Sequence, residues 1–505
     1  MPWPQVARLL EQPRPLVAAP PPAPSRQATA SLFGDDPVLS KLEVAARRHL
    51  DLLVESQRHG GWCLAIKWPS LLQYTAKQRL PEPGNMIGLS KDSHTAFGAA
   101  QLLYAWQCLG DGRYLAAARR TGEMYLAAQD AGGSWMNSYF FEGGRYVSSD
   151  PYVLLQDHTQ TGPLFLLTYL WRATGDDRYL AAARRSADFL VKAQNPNGSW
   201  AHHWDRTRQV GISSTGEAGG GEVNDYGTSA PVAALLSFAT VTGEHGYVAP
   251  ALRGADWLLT AFVENPRVVG WGAQYDAANR LIPARHFEPA SVTNYAPRWA
   301  ALGLLAAYRQ TRDERYLTPL RKCLAWFEAN RGDGGWWWDY EPDSGRPIAM
   351  WMRRIYHLDD PAEVAAYEQA TGGRKPERGD WVNVAALRSE IEAAVAWPDG
   401  KLEPPPTRDS LARYVAATGP AYVASYLDGG VPPAVHRQAG LWLWESEAGL
   451  STNLVRHQVV RFCDLLLRAR AARGDLPLDH PLLRRIEASV GWTRVLPLPG
   501  AVRDQ

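Results

Sequence analysis

The stretch "GDDRYLAAARRSADFLVKAQNPNGSW", residues 175–200, is almost repeated by "GDGRYLAAARRTGEMYLAAQDAGGSW", residues 110–135. Three more divergent copies also end on a tryptophan in a small-residue turn, so the closing tryptophans are Trp62, Trp135, Trp200, Trp271 and Trp336. They lie 65 to 73 residues apart, whereas the common helical-pair repeats are roughly 34 to 47 residues long. Each unit therefore has room for two helices and a long loop.

The two helices of each unit are indicated by their apolar residues. In residues 178–194 the apolar side chains recur at the spacing of one buried helical face. A more apolar segment precedes each copy, such as "GPLFLLTYLWRA", residues 162–173, and suits a helix that is covered on all sides. Alternating inner and outer helices can close into a ring. The sequence therefore predicts an all-α fold, an α/α toroid of repeated helical pairs, with small β or irregular elements in the cleft loops 136–150 and 201–224.

Composition gives no reason to expect a nucleic acid or a membrane as partner. The 505-residue chain has 53 basic and 52 acidic residues, a net charge of +1. Its apolar runs are shorter than the roughly 18 residues of a membrane span. The four cysteines, Cys63, Cys108, Cys323 and Cys463, show no CxxC spacing, so we expect buried free thiols rather than a zinc site or disulfides.

The chain is expected to divide into three parts. Residues 1–35 are rich in proline and alanine and show no clear signal peptide, which predicts a disordered leader. Residues 36–395 carry the repeat and are the predicted toroid domain. After a proline-rich break, residues 396–505 are predicted to form a C-terminal helical extension that packs on the toroid, with helices near 408–426 and 453–474.

A small polar cluster precedes three of the inner helices: "KDSHTAFG" at 91–98, "QDHTQTGP" at 156–163 and "NDYGTSAP" at 224–231. Each places an aspartate (Asp92, Asp157, Asp225) ahead of a threonine, a pattern that helix N-capping explains. Three such sites would also meet at one rim of a toroid. There the carboxylates could bind a hard cation such as Ca²⁺ or act as an acid/base pair on a glycosidic bond.

Aromatic and histidine side chains in the loops give further candidates. The closing tryptophans are expected to fill space between helices, whereas Trp204, Trp337 and Trp338 could equally stack on sugar rings. His202 and His203, in "AHHWD", are the most promising of the loop histidines.

The fourth unit departs from the pattern with "WGAQYDAANRLIPARHFEPASVTNYAPRWAALG", residues 271–303. This segment resembles the signature of the pectic acid lyases, polysaccharide lyase family 10, in its Gln-Tyr-Asp and its "PAR" followed by Glu288 and Pro289. Segments within residues 150–360, among them "QDHTQTGP", "NDYGTSAP" and "GRPIAMWMRRIYHLDD", resemble other parts of that family in the same order. The family turns corresponding to "NGSWAHHW" and "GTSAP" differ, so the substrate polymer could differ as well.

The resemblance implies β-elimination on an acidic polysaccharide with calcium as the expected cofactor. Carried over, Arg285 is the base, Arg354 binds the uronate carboxylate, and Asp157, Thr161 and Asp225 hold Ca²⁺ or substrate, with Asp92 as a further metal candidate. Because an arginine pKa above about 12 makes a poor base, the neighbouring His286 and Tyr275 are rival bases on chemical grounds. The other predicted substrate-binding residues are Arg346, His202, His203, Trp204, Gln274, Glu288, Trp337 and Trp338.

Two other functions fit the same residues. An α/α-toroid glycoside hydrolase acting on unsaturated uronides would use a pair among Asp92, Asp157 and Asp225 and would need no metal. A non-catalytic glycan-binding protein would use the tryptophan-rich rim. A terpene cyclase is disfavoured because no DxDD motif is present. We expect a monomer located outside the cell or in the periplasm.

Overall fold

The computed structural model describes residues 31–62, 65–68, 73–74, 86–87, 94–396, 406–426, 443–444, 447–479 and 483. The predicted all-α class is confirmed, and the helices alternate between an inner and an outer layer. The outer helices are α1 (Pro37–Ser56), α3 (Gly112–Ala128), α5 (Asp177–Lys192), α7 (Val248–Thr260) and α9 (Thr318–Ala329). The inner helices are α2 (His94–Leu109), α4 (Thr161–Thr174), α6 (Ser229–Thr242) and α8 (Ala296–Thr311).

The remaining helices extend this arrangement. They are α10 (Pro361–Ala370), α11 (Val384–Ala396), α12 (Arg408–Tyr426) and α13 (Thr452–Arg473). Helix α11 packs on α8 and α9, whereas α13 packs on α1 and on the inner helix α2. Helix α13, the last described helix, thus lies against the first described helical pair, where Arg470 Nη1 donates to the Cys108 carbonyl at 2.5 Å.

Local sequence explains where the outer helices begin and the inner ones end. In the repeated "GD.RYL" motif the aspartate caps the outer helix: Asp111 and Asp176 each accept a hydrogen bond from the backbone N–H two residues later. The glycine before Asp176, Gly175, ends α4 with φ at 70°, a left-handed conformation that glycine adopts without a Cβ penalty. The tyrosine of the motif, such as Tyr179, is fully buried.

The closing tryptophans fill the core, as expected. Each is at most 2% exposed, and each indole N–H donates to the carbonyl of a residue in the preceding outer helix, as Trp200 does to Leu190 at 2.7 Å. In three units a polar side chain at the start of the next inner helix binds the tryptophan backbone in turn: Thr95, Gln160 and Thr228 accept from the backbone N–H of Trp62, Trp135 and Trp200, respectively. Thr228 Oγ1 accepts from the Trp200 N–H at 3.1 Å. One tryptophan thereby joins an outer helix to the next inner helix in each of these three units.

The loops at one end of the inner helices carry short antiparallel strands, which confirms the predicted loop elements. The strands are β1 (Ala65–Trp68), β2 (Gln73–Tyr74), β3 (Met86–Ile87), β4 (Tyr139–Glu142), β5 (Arg145–Val147), β6 (Val153–Leu154), β7 (His203–Asp205), β8 (Val210–Ile212), β9 (Gly221–Glu222), β10 (Val263–Glu264), β11 (Val269–Gly270), β12 (Gln274–Tyr275), β13 (Leu281–Ile282), β14 (Val292–Thr293), β15 (Trp336–Trp337), β16 (Asp339–Tyr340), β17 (Pro347–Trp351), β18 (Arg354–His357), β19 (Arg378–Gly379), β20 (Leu443–Trp444) and β21 (Glu447–Ser451). They form seven sheets of two to four strands, among them β6-β7-β8, β13-β12-β9 and β14-β16-β17-β18.

Three cysteines, Cys108, Cys323 and Cys463, are buried free thiols as expected, and Cys63 lies outside the described residues. Within the described ranges no helix is long and apolar enough to cross a membrane. Of the predicted leader, residues 1–35, residues 1–30 lie outside the described part of the chain.

Candidate active site

Two of the predicted polar clusters form the same backbone turn. Asp157 and His158 have φ values of 57° and 56°, and Asp225 and Tyr226 have φ values of 47° and 64°. A left-handed pair of non-glycine residues is strained and is held only by its surroundings. The two turns touch, since the Asp157 N–H donates to the Asp225 carbonyl at 2.9 Å. The rim of the ring therefore brings Asp157 and Asp225 together, whereas Asp92 lies outside the described residues.

Aromatic rings follow this rim from one inner-helix start to the next. Centroids of successive rings lie 4.6 to 6.0 Å apart along Phe97, His158, Tyr226, Trp299, Tyr295, Trp338 and Trp381, which we name the aromatic arc. Trp338 was predicted from the sequence, but Tyr226, Trp299 and Trp381 were missed. Phe97 and Tyr295 are buried, whereas the other five rings are partly or fully exposed and can pack on the apolar C–H faces of sugars.

The arginine of the "PAR" motif is fixed by the glutamate three residues later. Arg285 Nε donates to Glu288 Oε2 at 2.8 Å, and the second arm of the guanidinium binds the other carboxylate oxygen. The Arg285 side chain is 52% exposed, whereas that of Glu288 is 7% exposed. The hydrogen bond to Glu288 raises the pKa of Arg285 despite partial burial, and the charge on Asp225 raises it further. Arg285 is thus held protonated beside the aspartate turns.

His202 adjoins the same group of charges. Its Nδ1 lies 2.9 Å from Glu222 Oε2, and Glu222 is 1% exposed. Burial lowers the pKa of His202, and the positive charge on Arg285 lowers it further. The charge and hydrogen bond of Glu222, together with the charge on Asp225, outweigh both effects, so the pKa of His202 is raised overall. We name His202, Glu222, Asp225, Arg285 and Glu288 the charged cluster.

Glu222 reaches the cluster because of strand register. It pairs with Gln274 across β9 and β12, so the two side chains lie on one face of the sheet. Gln274 Nε2 donates to Glu222 Oε1 at 3.1 Å, and Ser214 Oγ donates to Gln274 Oε1 at 2.9 Å. The predicted substrate-binding Gln274 is 3% exposed and therefore supports Glu222 rather than facing the cleft.

Asp339 is a second carboxyl that sequence analysis missed. It is 5% exposed in β16, and its Oδ1 accepts a hydrogen bond from Ser291 Oγ at 2.6 Å. Burial raises the pKa of Asp339 to about 8, and the charges on Glu288 and Glu377 add to the shift. Its position directly after Trp338, itself a predicted site residue, was the available signal.

The hairpin between β17 and β18 brings exposed cations close to the motif loop. Its turn residues Met352 and Arg353 have φ values of 48° and 70°. The Arg353 N–H donates to the His286 carbonyl at 3.1 Å, and the His286 ring lies 5.1 Å from the Trp351 ring. Arg354 is exposed and lies over the Tyr356 ring, and among the described residues neither it nor Arg353 makes an ion pair. His286 is also exposed.

Three predicted site residues are placed in structural roles instead. Tyr275 is 1% exposed, its hydroxyl donates to the Ala261 carbonyl and accepts from the Gly272 N–H, and burial raises its pKa. It therefore offers no free phenol as a base. Trp204 is 5% exposed and packs edge-on against Phe189. Thr161 is fully buried, and its hydroxyl bonds to His158 Nδ1 at 3.2 Å.

Two further candidates already have partners. Arg346 holds both carboxylate oxygens of Asp359, at 2.9 and 2.7 Å, through one edge of its guanidinium, as Arg285 does with Glu288. The Trp337 ring is covered by the Arg378 guanidinium, 3.8 Å from the ring centroid. The substrate-binding roles of these two side chains stay predictions. His203 lies beside His202, and burial followed by the charge on His202 lowers the pKa of His203 to about 3.

A metal site would require several of these charged side chains to converge on one ion. Within the described ranges, no three His, Cys, Asp or Glu side chains are grouped so that they could hold an ion. Asp157 and Asp225 each accept a hydrogen bond from the neighbouring amide, Gln156 or Asn224. The described ligands alone do not fit a calcium site, and a role for calcium stays a prediction.

Comparison with known proteins bears on the segment that contains the first aspartate turn. Residues 153–210 match the family model of pectic acid lyase. The resemblance to the pectic acid lyases is confirmed. The match includes Asp157, His158 and both histidines of "AHHWD", although it covers only a small part of the chain.

Other similarities are broader and more distant. Squalene–hopene cyclase of Zymomonas mobilis is 27% identical over 175 residues, which is 34% of this chain and 22% of that enzyme. D-mannose isomerase has 14% identity, a TM-score of 0.50 and coverage of 87% of this chain and 100% of its own, which supports the toroid fold alone. Family 10 polysaccharide lyase from Cellvibrio cellulosa has 16% identity, a TM-score of 0.43 and coverage of 60% and 98%. Unsaturated glucuronyl hydrolase from Bacillus sp. GL1 has 14% identity and a TM-score of 0.46, with coverage of 86% of this chain and 97% of its own.

Proposed function

We propose that this protein is a polysaccharide lyase that cleaves a uronate-containing polysaccharide by β-elimination. The observation that carries the proposal is the position of Arg285. The arginine of the lyase-like motif is half exposed, is held in its charged form by Glu288, and lies close enough to Asp225 and to Tyr295 of the aromatic arc for their charges to act on it. A pectic acid lyase match over residues 153–210 supports the same class of reaction.

The role that fits Arg285 best is to neutralise the uronate carboxylate. The C5 proton of a uronate becomes removable only when the negative charge of the adjacent carboxylate is offset. A guanidinium binds a carboxylate through two parallel hydrogen bonds and keeps its charge. Glu288 stabilises that charged form, which is the opposite of what an arginine base requires. We therefore replace the predicted role of Arg285 as base by carboxylate binding.

The hairpin cations extend this binding surface along an acidic polymer. Arg354 and Arg353 make no ion pair with the described residues, and the main chain links Arg353 to His286 in the motif loop. A uronate next to the one being cleaved would place its carboxylate within reach of such cations. We propose that Arg354 binds that carboxylate, as the family resemblance implied, and that His286 lines the same subsite.

The direct test measures the ultraviolet absorbance of the unsaturated product on a panel of uronate polymers. The wild-type chain is expected to generate the double bond on at least one polymer, and Arg285→Ala is expected to lower kcat/KM by about 100-fold or more. Arg280→Ala is the matched control, because Arg280 forms a comparable ion pair with Asp276 in the same loop and is 81% exposed. Equal activity of Arg285→Ala and Arg280→Ala would contradict the proposal.

One observation favours a second candidate, a glycoside hydrolase. Asp157 and Asp225 occupy the same position in adjacent units and touch through their backbones. Two carboxyl groups on one cleft can serve as acid and base on a glycosidic bond. That enzyme would release reducing ends without new ultraviolet absorbance, and Asp225→Asn would inactivate it. Glycan binding without either signal would indicate the binding protein. The monomeric state and the extracellular or periplasmic location stay predictions.

A further inference from the structure

We propose that His202 is the base that removes the C5 proton and that Glu222 is the residue that positions it. The proposal rests on the lyase function above. Neither role follows from the family resemblance, because "NGSWAHHW" is where this chain departs from the family pattern.

The hydrogen bond between the two side chains defines the tautomer of His202. A carboxylate only accepts hydrogen bonds, so Nδ1 of the neutral imidazole carries the hydrogen that bonds to Glu222 Oε2 at 2.9 Å. Nε2 then carries a lone pair, and it has no hydrogen-bond partner among the described residues. An imidazole oriented by a buried carboxylate through one nitrogen presents the other nitrogen as a base.

Glu222 is fixed in this role on both oxygens. Oε1 accepts from Gln274 while Oε2 binds His202, and the carboxylate is 1% exposed. It is too deeply buried to contact a polymer, so it acts through His202. Ser214 orients the Gln274 amide in turn.

The position of His202 relative to Arg285 suits the reaction. In a uronate the carboxylate and the reactive hydrogen are attached to the same carbon, so the base must lie beside the cation that binds the carboxylate. Glu222, which binds His202, lies in β9 three residues before Asp225, and β9 shares a sheet with β12 and with β13, which ends three residues before Arg285. The charges on Arg285 and Asp225 accordingly act on His202. The rival bases are less suited: Tyr275 is buried and bonded to backbone, and His286 is exposed without a carboxylate partner among the described residues.

The proposed step is balanced in protons and electrons. His202 Nε2 takes the C5 proton and becomes an imidazolium. The C5–H electron pair forms the C4=C5 double bond as the C4–O4 bond breaks. The departing O4 takes a proton from solvent, and the imidazolium returns its proton to solvent before the next cycle.

The pH dependence of activity tests the pair formed by His202 and Glu222, which we name the dyad. Four titratable or charged groups face His202, namely Glu222, His203, Asp225 and Arg285. Because the base must be neutral, kcat/KM should rise with pH through the pKa of His202, which lies above the ordinary 6.5. Glu222→Gln removes the main charge that raises it, so the acidic limb should move about one unit lower. His202→Gln should abolish that limb.

The experiment combines His202→Gln with the matched control His357→Gln, because His357 also lies beside a glutamate, Glu363, at 3.3 Å but outside the charged cluster. We expect His202→Gln to lower kcat about 100-fold or more with KM within about threefold, and His357→Gln to change neither. Added imidazole should restore part of the activity of His202→Ala. Circular dichroism verifies that each variant folds.

The outcomes separate the two proposals. If His202→Gln keeps its activity while Arg285→Ala loses it, the dyad is wrong and the lyase stands. If the wild-type chain forms no double bond on any uronate polymer, the lyase function fails and the dyad fails with it. Histidine NMR titration gives a readout independent of activity: a His202 pKa that is unchanged in Glu222→Gln would overturn the dyad.

Discussion

The wild-type chain should lose much of its stability as the pH rises from acidic to mildly alkaline, because of Asp339. Replacing Asp339 with asparagine should remove that loss. Asp339 is buried in β16, and the folded chain holds its carboxyl protonated because burial raises the pKa to about 8 from the ordinary 3.8. Asparagine has the same shape and keeps an oxygen that can accept the Ser291 hydroxyl bond. The substitution therefore removes the titration with little change in packing.

The sign and size of this change in unfolding free energy follow from the unfolded and folded pKa values of Asp339. A group whose pKa is raised by folding stabilises the fold fully below its unfolded pKa, and this contribution is lost as pH rises through the folded pKa. Between 3.8 and about 8 the unfolded Asp339 has released its proton while the folded one keeps it. Each pH unit in that window costs about 1.4 kcal/mol. Over the whole window the loss is on the order of 5 kcal/mol, a large fraction of typical domain stability.

The assay is urea unfolding, followed by tryptophan fluorescence, at several pH values across that window. The free energy of unfolding of Asp339→Asn should rise relative to wild type as pH increases. Asp359→Asn is the control, since exposed Asp359 has its pKa lowered by its hydrogen bond to Arg346 and titrates below the window. Wild-type and Asp339→Asn curves that run parallel across the window would refute the assignment of a protonated Asp339.

The remaining predictions concern the core, the rim and the metal. Tyr275→Phe should lose about 1 to 3 kcal/mol of unfolding free energy in urea titrations, because two backbone bonds lose their partner, and its activity–pH profile should keep the wild-type shape; a changed profile would restore Tyr275 as a base. Trp200→Phe should lower the free energy of unfolding by about 1 to 3 kcal/mol, because the Leu190 carbonyl loses its hydrogen-bond donor, whereas Trp381→Phe at an exposed position should lower it much less. Equal losses would contradict the role of Trp200 in filling the core. Trp299→Ala should raise KM several-fold with little change in kcat, and a selective fall in kcat would contradict substrate stacking on the aromatic arc. EDTA should abolish activity and Ca²⁺ should restore it if the predicted calcium is needed, and an EDTA-resistant rate would remove it from the reaction.

The helical units could be predicted because their signals are local. The inner helices are apolar on all sides, the outer helices carry one apolar face, and the tryptophans recur at the turns. The position of α13 against α2 could not be predicted in the same way. That contact joins segments more than 300 residues apart, and nothing local in residues 452–473 specifies which helix they meet.

The site was predictable where repeat position determines location. Asp157 and Asp225 precede equivalent inner helices, and the structure brings them together. Glu222 and Asp339 were missed because the burial of a carboxylate depends on strands that are distant in sequence. The structural role of Tyr275, which sequence analysis named as a rival base, could have been predicted. Tyr139 and Tyr340 also follow a closing tryptophan by four residues and bond to the same kind of backbone N–H, which marks a structural repeat.

The departure of the fourth unit changes the charge of the rim. In the second and third units the left-handed turn presents an aspartate followed by an aromatic ring. At the start of α8 the corresponding Tyr295 has an ordinary φ of −103°, and no aspartate precedes it at that turn. The segment before it instead supplies Arg285 with Glu288. Arg285 therefore adds a guanidinium to a rim whose neighbouring units carry Asp157 and Asp225, so an acidic sugar should bind with its carboxylate toward the fourth unit. In the proposed lyase reaction, His202 of the neighbouring third unit would then act on the C5 hydrogen, which is attached to the same carbon as that carboxylate.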